Sequence, residues 1–189
     1  MHGYKRMNEA LQAILINSLR LRLELVEKRH RYLSFLIDNR KANEKFLQLE
    51  IMNIISSMPG IVDFLPEKPY DSENSNDKCD FWFKTDALDY WLEIKTRPTN
   101  YRNPGSSGRA ITDSVDQIIA DIDRLRKIQS ESSERLVIFA FYPLYTDSYD
   151  TFNKTHLSRI EEFIGRKIPT PDISIPVGDA LFNVYLAII

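Results

Sequence analysis

The chain has 189 residues, 43% of them hydrophobic and 28% charged, with a formal net charge of −2. That length fits one domain with an extension and allows a sizeable core, and the balance is ordinary for a globular protein. It excludes a globally basic nucleic-acid binder, so any such contact needs a local basic face; one cysteine, Cys79, and three scattered histidines exclude an internal disulfide and a Cys/His zinc cluster.

A lone cysteine suits a reducing, cytoplasmic setting, and no apolar run reaches the length of a membrane span. Lys5 and Arg6 followed by Ala10 to Ile16 resemble the start of a signal peptide. Asn8, Glu9 and Gln12 interrupt the run and no small-residue cleavage site follows, so that reading is rejected. From residue 8 to 40 the periodicity predicts one long helix or two consecutive ones. Leu11, Ile14, Leu15, Leu19, Leu23, Val26, Leu33, Leu36 and Ile37 recur near helical spacing. The apolar face is wide and irregular, suited to packing on the domain or on a second copy of the chain. Arg20, Arg22, Lys28, Arg29, Arg31, Arg40 and Lys41 gather here, either as a solvated helix face or as a nucleic-acid contact.

A second helix is expected from Asn43, its N-cap, to Ser57. Phe46, Leu47, Ile51, Ile54 and Met58 form its stripe, and Pro59-Gly60 stops it. Glu50 falls on that stripe, where a carboxylate is costly unless paired or bound to a cation. Ile61 to Leu65 reads as a first strand. Pro66 to Lys78, centred on Asp71 to Asp77, reads as a polar surface loop.

Two more strands follow as a hairpin: aromatic Phe81 to Lys84, then alternating Tyr90 to Thr96, joined by a turn around Asp86 to Asp89. Residues two apart in a strand share a face, so Glu93 and Lys95 point one way and Leu92, Ile94 and Thr96 the other. Pairing of the strands brings Asp80 toward Glu93 and Lys95. Two carboxylates and the Ile94 carbonyl suit Mg²⁺, which takes hard oxygen ligands and keeps several waters. A lysine beside it can orient a water, help deprotonate it, or offset charge in a phosphoryl transition state. Taken without neighbours, Glu93 and Lys95 are equally an exposed polar row on a half-buried strand.

Arg97 to Arg109 is a loop rich in Pro, Gly, Ser and Asn, with three arginines and Tyr101, able to clamp a phosphate backbone or simply to connect. A helix capped by Thr112 or Asp113 runs to about Gln129, with Val115, Ile118, Ile119, Ile122, Leu125 and Ile128 on its core face. Gln117 and Asp121 lie four apart on a neighbouring face. Leu136 to Tyr142 predicts a strand buried on both faces and ended by Pro143. Tyr145 to Lys154 reads as loop, and His156 to Lys167 as a helix with Ser158-Arg-Ile-Glu161 as a capping box. Ile168 to Gly178 reads as irregular, and Phe182 to Ile189 as a closing strand.

Asp80, a gap of about a dozen residues, then Glu93-Ile94-Lys95 resembles the signature of the PD-(D/E)XK nuclease superfamily, with Cys79 where a proline usually precedes the aspartate. The likeness covers residues 43 to 142, where helix, three strands, helix and strand follow in the family's order. It implies an α/β fold: a restriction-endonuclease-like mixed β-sheet flanked by helices, as a nuclease-like domain over 43–189 behind an N-terminal helical arm over 1–42. It implies a metal-dependent nuclease cleaving phosphodiester bonds in DNA, with Mg²⁺ or Mn²⁺ held by Asp80, Glu93 and the Ile94 carbonyl. Glu50, with Glu44 in reserve, would be the helix carboxylate that adds a metal or water ligand. Lys95 would position the attacking water, and Gln117 the polar group facing the site, although Asp121 stands where some members carry tyrosine. The alternative is a nuclease-fold module that binds nucleic acid or assembles without cutting. RNA as substrate, endo- or exonuclease action and a homodimer through the arm all stay open.

Overall fold

The computed structural model describes residues 2–40, 43–70, 77–102, 111–128, 132–168 and 170–189. Lys41, the centre of the loop at 71–76, the 103–110 part of the arginine loop, Gln129 and Pro169 lie outside the described residues.

The chain is a mixed α/β structure built on a six-stranded mixed sheet with helices on both faces. In chain order the elements are α1 (His2–His30), α2 (Tyr32–Asn39), α3 (Glu44–Ile55), β1 (Ile61–Pro66), β2 (Phe81–Thr85), β3 (Asp89–Pro98), α4 (Ile111–Arg126) and β4 (Ser133–Tyr145). There follow α5 (Thr146–Phe152), a π-helical turn (Asn153–Leu157), α6 (Ser158–Ile164), β5 (Ile173–Val177) and β6 (Ala180–Ile188). The strand order is β1-β2-β3-β4-β6-β5. β3 and β4 are parallel, joined through α4, and the other neighbours are antiparallel. Among the described residues no helix is long and apolar enough to cross a membrane.

Alternation along β3 divides the core in two. Tyr90, Leu92 and Ile94 join Leu19, Leu23, Leu47 and Ile51 on the face covered by α1, α2 and α3. Trp91 joins Trp82, Val115, Ile118 and Ile122 on the face covered by α4 to α6. The expected arm over 1–42 therefore shares one core with the expected domain over 43–189. Leu15, Leu19 and Leu23 are at most 3% exposed, each worth roughly 1.5–3 kcal/mol of burial. Arg20 reinforces the contact by donating to the Asp172 carbonyl at 2.7 Å.

The long N-terminal helix breaks at Arg31, which has φ 50°. Neither glycine nor proline marks the break. Instead Glu27 of α1 accepts from the Ser34 N–H at 3.0 Å and so satisfies the open start of α2. Asn43 caps α3 as expected, accepting from the Phe46 N–H at 3.1 Å. β4 is buried along most of its length but does not end at Pro143. It runs on to Tyr145, with its register on β6 shifting between Phe141 and Leu144, and a proline is tolerated where the ladder is irregular. The stretch after Tyr145 is helix rather than loop, because the Ser148 hydroxyl accepts from the Tyr145 N–H at 3.1 Å. Ser158 lies inside that helical run rather than at a start, donating to the Lys154 carbonyl at 2.6 Å. Ile173 to Val177, expected as irregular, is an edge strand whose residues alternate buried and exposed; Pro176 fits because an edge strand need not donate on its outer side.

Candidate active site

The site lies where β2 stops and β3 continues. Phe81 pairs with Leu92 and Trp82 with Trp91. One step further sets Asp80 level with Glu93, and directly opposite residues of an antiparallel pair share a face. β3 runs on to Pro98 without a β2 neighbour. Asp80 covers the first unpaired stretch, its Oδ2 accepting the Ile94 N–H at 2.7 Å. The N–H and C=O of one strand residue point to the same side, so the Ile94 carbonyl also lies on the Asp80 side. Gln48 of α3 donates to Asp80 Oδ1 at 2.7 Å.

Glu93 is buried, its side chain 3% exposed. Its Oε1 accepts from the Tyr70 hydroxyl, and Oε2 lies 3.8 Å from Lys95 Nζ. Lys95 Nζ is also 3.3 Å from Glu44 Oε1 and 3.4 Å from Asp121 Oδ2. One ammonium thus faces three carboxylates, from α3, β3 and α4. Asp121 pairs with Arg124 as well, while its Oδ2 has no hydrogen-bond partner.

The electrostatics follow from this crowding. Burial and the neighbouring Asp80 push the Glu93 carboxyl well above its ordinary pKa, against the opposing pull of Tyr70 and Lys95. Burial likewise raises Asp121, partly offset by Lys95 and Arg124. Burial works against the charge on Lys95, but Asp121, Asp80, Glu44 and Glu93 outweigh it and hold its pKa above the ordinary value. Lys95 is therefore a persistent cation. It suits charge neutralisation and donation better than proton removal.

Asp80, Glu93 and Lys95 come together, with the Ile94 backbone among them. Glu50 does not join them. Its carboxylate is paired with Arg22 at 3.1 Å. Successive helical residues turn by about 100°, so Glu50 faces roughly away from Gln48, which reaches Asp80. Glu44, one turn before Gln48, is the helix carboxylate that reaches the cluster. Gln117 touches neither carboxylate; it accepts from Arg97 at 2.6 Å, and Arg97 in turn lies 3.6 Å from Glu44. It steadies a neighbour of the site.

Sequence reasoning missed Asp121 and Tyr70. Asp121 had a signal: it lies three residues after Ile118 and four before Leu125, both buried, and an acid on that stripe needs a partner. Tyr70 had none. It reaches Glu93 only because the segment after β1 returns along the segment before β2. The Tyr70 N–H donates to Asp77 and the Cys79 N–H to Lys68, and the Tyr70 ring stacks on Trp91.

Among the described residues no group of three or more His, Cys, Asp or Glu side chains is arranged to hold a metal ion. The smaller set of Asp80, Glu93 and the Ile94 carbonyl nonetheless suits Mg²⁺, which is bound through one or two carboxylates with water completing the shell. Each carboxylate has lone pairs beyond those its protein donors use, and the pressure on Glu93 toward its neutral form is what an added cation relieves. Glu50, held by Arg22, does not belong to that set.

Several arginines expected to meet phosphate are engaged within the chain. Arg22 holds Glu50, Arg97 lies against Glu44, and Arg102 pairs with Asp147 and Asp179. Lys28 and Arg29, in the last turn of α1, are exposed. No family model matches the chain, and no curated protein and no solved structure matches it.

Proposed function

We propose that the chain is a metal-dependent deoxyribonuclease with a restriction-endonuclease-like fold. The supporting observation is the meeting of Asp80, Glu93 and Lys95 at a sheet end: Asp80 accepts the Ile94 N–H at 2.7 Å and Glu93 lies 3.8 Å from Lys95. The order helix, three antiparallel strands, helix, strand from α3 to β4 agrees with that fold.

In this reading Asp80, Glu93 and the Ile94 carbonyl hold Mg²⁺ or Mn²⁺. Such an ion lowers the pKa of a water and neutralises charge on phosphate. Lys95 stays protonated, orients the attacking water by donation and stabilises the negative charge that develops at phosphorus. Glu44 and Asp121 fix the ammonium. In-line attack by the water forms a new P–O bond as the bond to the 3′ oxygen breaks; the water's proton passes to solvent, the 3′ oxygen takes one from solvent to leave as a hydroxyl, and a 5′ phosphate remains, as the family resemblance implies. A cytoplasmic setting is part of the proposal, in keeping with the free buried thiol of Cys79. The test is incubation with single-stranded, linear and plasmid DNA plus Mg²⁺ or Mn²⁺, alongside Asp80→Ala and Lys95→Ala. Cleavage by the wild type alone is expected. Equal cleavage by all three rejects the assignment.

A second reading is a non-cutting module of the same fold that binds nucleic acid or assembles. The engagement of Glu93 by Tyr70, and of Arg97 and Arg102 by acidic neighbours, favours it. Mn²⁺ titration by calorimetry separates the two: no heat of binding, together with no cleavage, supports the module.

A further inference from the structure

A cleft of about 330 Å³ opens beside the site, between one face of α3 and the end of the β1–β2 pair where β1 stops and β2 begins. Lys45, Gln48, Leu49 and Met52 line one wall, and Pro66, Glu67, Asp80 and Phe81 the other. The α3 residues are spaced i, i+3, i+4, i+7, so the wall is a single helix face. Leu49 stands 54% exposed at the cleft, and Leu65, just before Pro66, is 47% exposed. A concave site lined by apolar side chains with a few placed polar groups is the usual form of a small-ligand pocket.

We infer that this cleft takes one unpaired nucleobase of the substrate strand, next to the phosphate that the cation at Asp80 would hold. The inference rests on the nuclease reading and names the form of nucleic acid the site accepts. The volume is at the lower end of small-ligand pockets. It suits a single base with part of its sugar rather than a stretch of duplex. The lining of Leu49, Met52, Pro66 and Phe81 offers apolar surface to a flat ring. Gln48 supplies a carboxamide at hydrogen-bonding depth, the group suited to the polar edge of a base. It already bridges to the site, donating to Asp80 Oδ1 at 2.7 Å. Lys45 supplies the positive charge a flanking phosphate needs; its ion pair with Glu67 is 3.9 Å long, with side chains 78% and 66% exposed, and yields readily to a stronger partner. A base inside a duplex reaches such a cleft only after unstacking, at a cost of roughly a few kcal/mol. Single-stranded or frayed substrate is therefore the preferred class.

The cleft has a built-in reporter. Met52 lines it, whereas Met58 is buried in the core. The experiment labels the methionine methyl groups of the full chain with ¹³C and titrates deoxynucleoside monophosphates in the presence of Ca²⁺, with deoxyribose 5-phosphate as the base-free control. The expected result is a saturable Met52 shift by the nucleotides alone, with Met58 unmoved. Leu49→Glu, at an exposed position outside the catalytic set, should weaken that binding at least tenfold and lower cleavage of single strands more than of duplex. No saturable Met52 shift up to ~10 mM nucleotide, where even millimolar affinity would register, overturns the inference. So does an equal response to base-free deoxyribose 5-phosphate. Nucleotide binding without cleavage sinks the nuclease reading and leaves the base site standing; cleavage without nucleotide binding does the reverse.

Discussion

Glu93→Gln gives the sharpest test of the site's electrostatics, because it needs neither substrate nor metal. Burial and Asp80 raise the Glu93 carboxyl from 4.5 to about 9. A carboxyl whose folded pKa is raised holds its proton in the folded chain and loses it in the unfolded one. Its favourable contribution is complete below the unfolded value and is lost as pH rises toward the folded one. Between those limits the unfolding free energy falls by about 1.4 kcal/mol per pH unit. Glu93 is only 2% exposed, so solvent screening takes little from that slope. From about pH 5.5 to about pH 7.5 the wild type should lose roughly 2–3 kcal/mol that Glu93→Gln keeps. For a chain of this size that is a difference of roughly 5–10 °C in melting temperature. Asp121 contributes with the same sign, and His156, lowered by burial and Arg159, with the opposite one. Subtracting the variant's pH profile from that of the wild type removes His156 and leaves, of Asp121, only the part coupled to Glu93. Thermal melts in chelator across that range read the effect. Parallel profiles would show that Glu93 titrates as an ordinary solvated acid, and the argument for a cation there would fall with it.

Lys95→Met leaves the carboxylates of Glu44, Glu93 and Asp121 without their shared ammonium. It should cost about 3–5 kcal/mol near neutral pH, with much of the loss recovered in acid; urea melts at two pH values check this. Glu44→Gln and Glu50→Gln separate the two helix carboxylates. The first should lower cleavage about 10–100-fold, as expected for a residue that holds a catalytic group in place. The second should leave cleavage intact and cost at most ~1 kcal/mol, since its pair with Arg22 is partly exposed, and initial rates with denaturant melts report both. Among the described residues the arm offers an apolar row for dimerisation: Ile14, Leu21 and Leu25 are 41%, 66% and 45% exposed on α1. Light scattering should then show a dimer that Leu21→Glu converts to monomer, and a monomeric wild type removes that interface.

Much of the sheet was legible because its strands carry local signals. The Phe81–Lys84 run is aromatic, Tyr90–Thr96 alternates, and Leu136–Tyr142 is a continuous apolar stretch rich in β-branched and aromatic residues. Those patterns follow from strand geometry and double-sided burial, which act residue by residue. Elements whose cause is tertiary were not legible. Helix α5 starts at Thr146 because one serine hydroxyl satisfies a backbone group, and α1 ends at Arg31 because Glu27 reaches across to α2. The site shows the same division. Asp80, Glu93 and Lys95 are one step of a hairpin register apart and could be placed from spacing alone. The choice between Glu44 and Glu50 turned on the phase of α3. The apolar stripe permitted more than one phase, and packing of Leu47, Ile51, Ile54 and Ile55 selected the one that turns Glu50 toward Arg22. Tyr70 enters through a chain reversal that leaves no periodic trace.

Glu44, Asp80, Glu93 and Asp121 gather at the sheet end against Lys95, Arg97 and Arg124, and two of the four acids are pushed toward their neutral forms. Lys95 keeps its charge but sits among these acids, so an incoming phosphodiester meets carboxyl groups as well as the ammonium. On the nuclease reading, affinity for DNA at this end and affinity for a divalent cation must then be linked, each raising the other by the same factor. The coupling is measurable without any bond being cut. With Ca²⁺ in place of Mg²⁺, DNA affinity of the wild type should rise with ion concentration beyond what ionic strength allows, since added salt alone weakens such binding. In Glu93→Gln, which removes one of the acids, the dependence on Ca²⁺ should flatten. Identical dependence in the two proteins would place DNA elsewhere on the molecule.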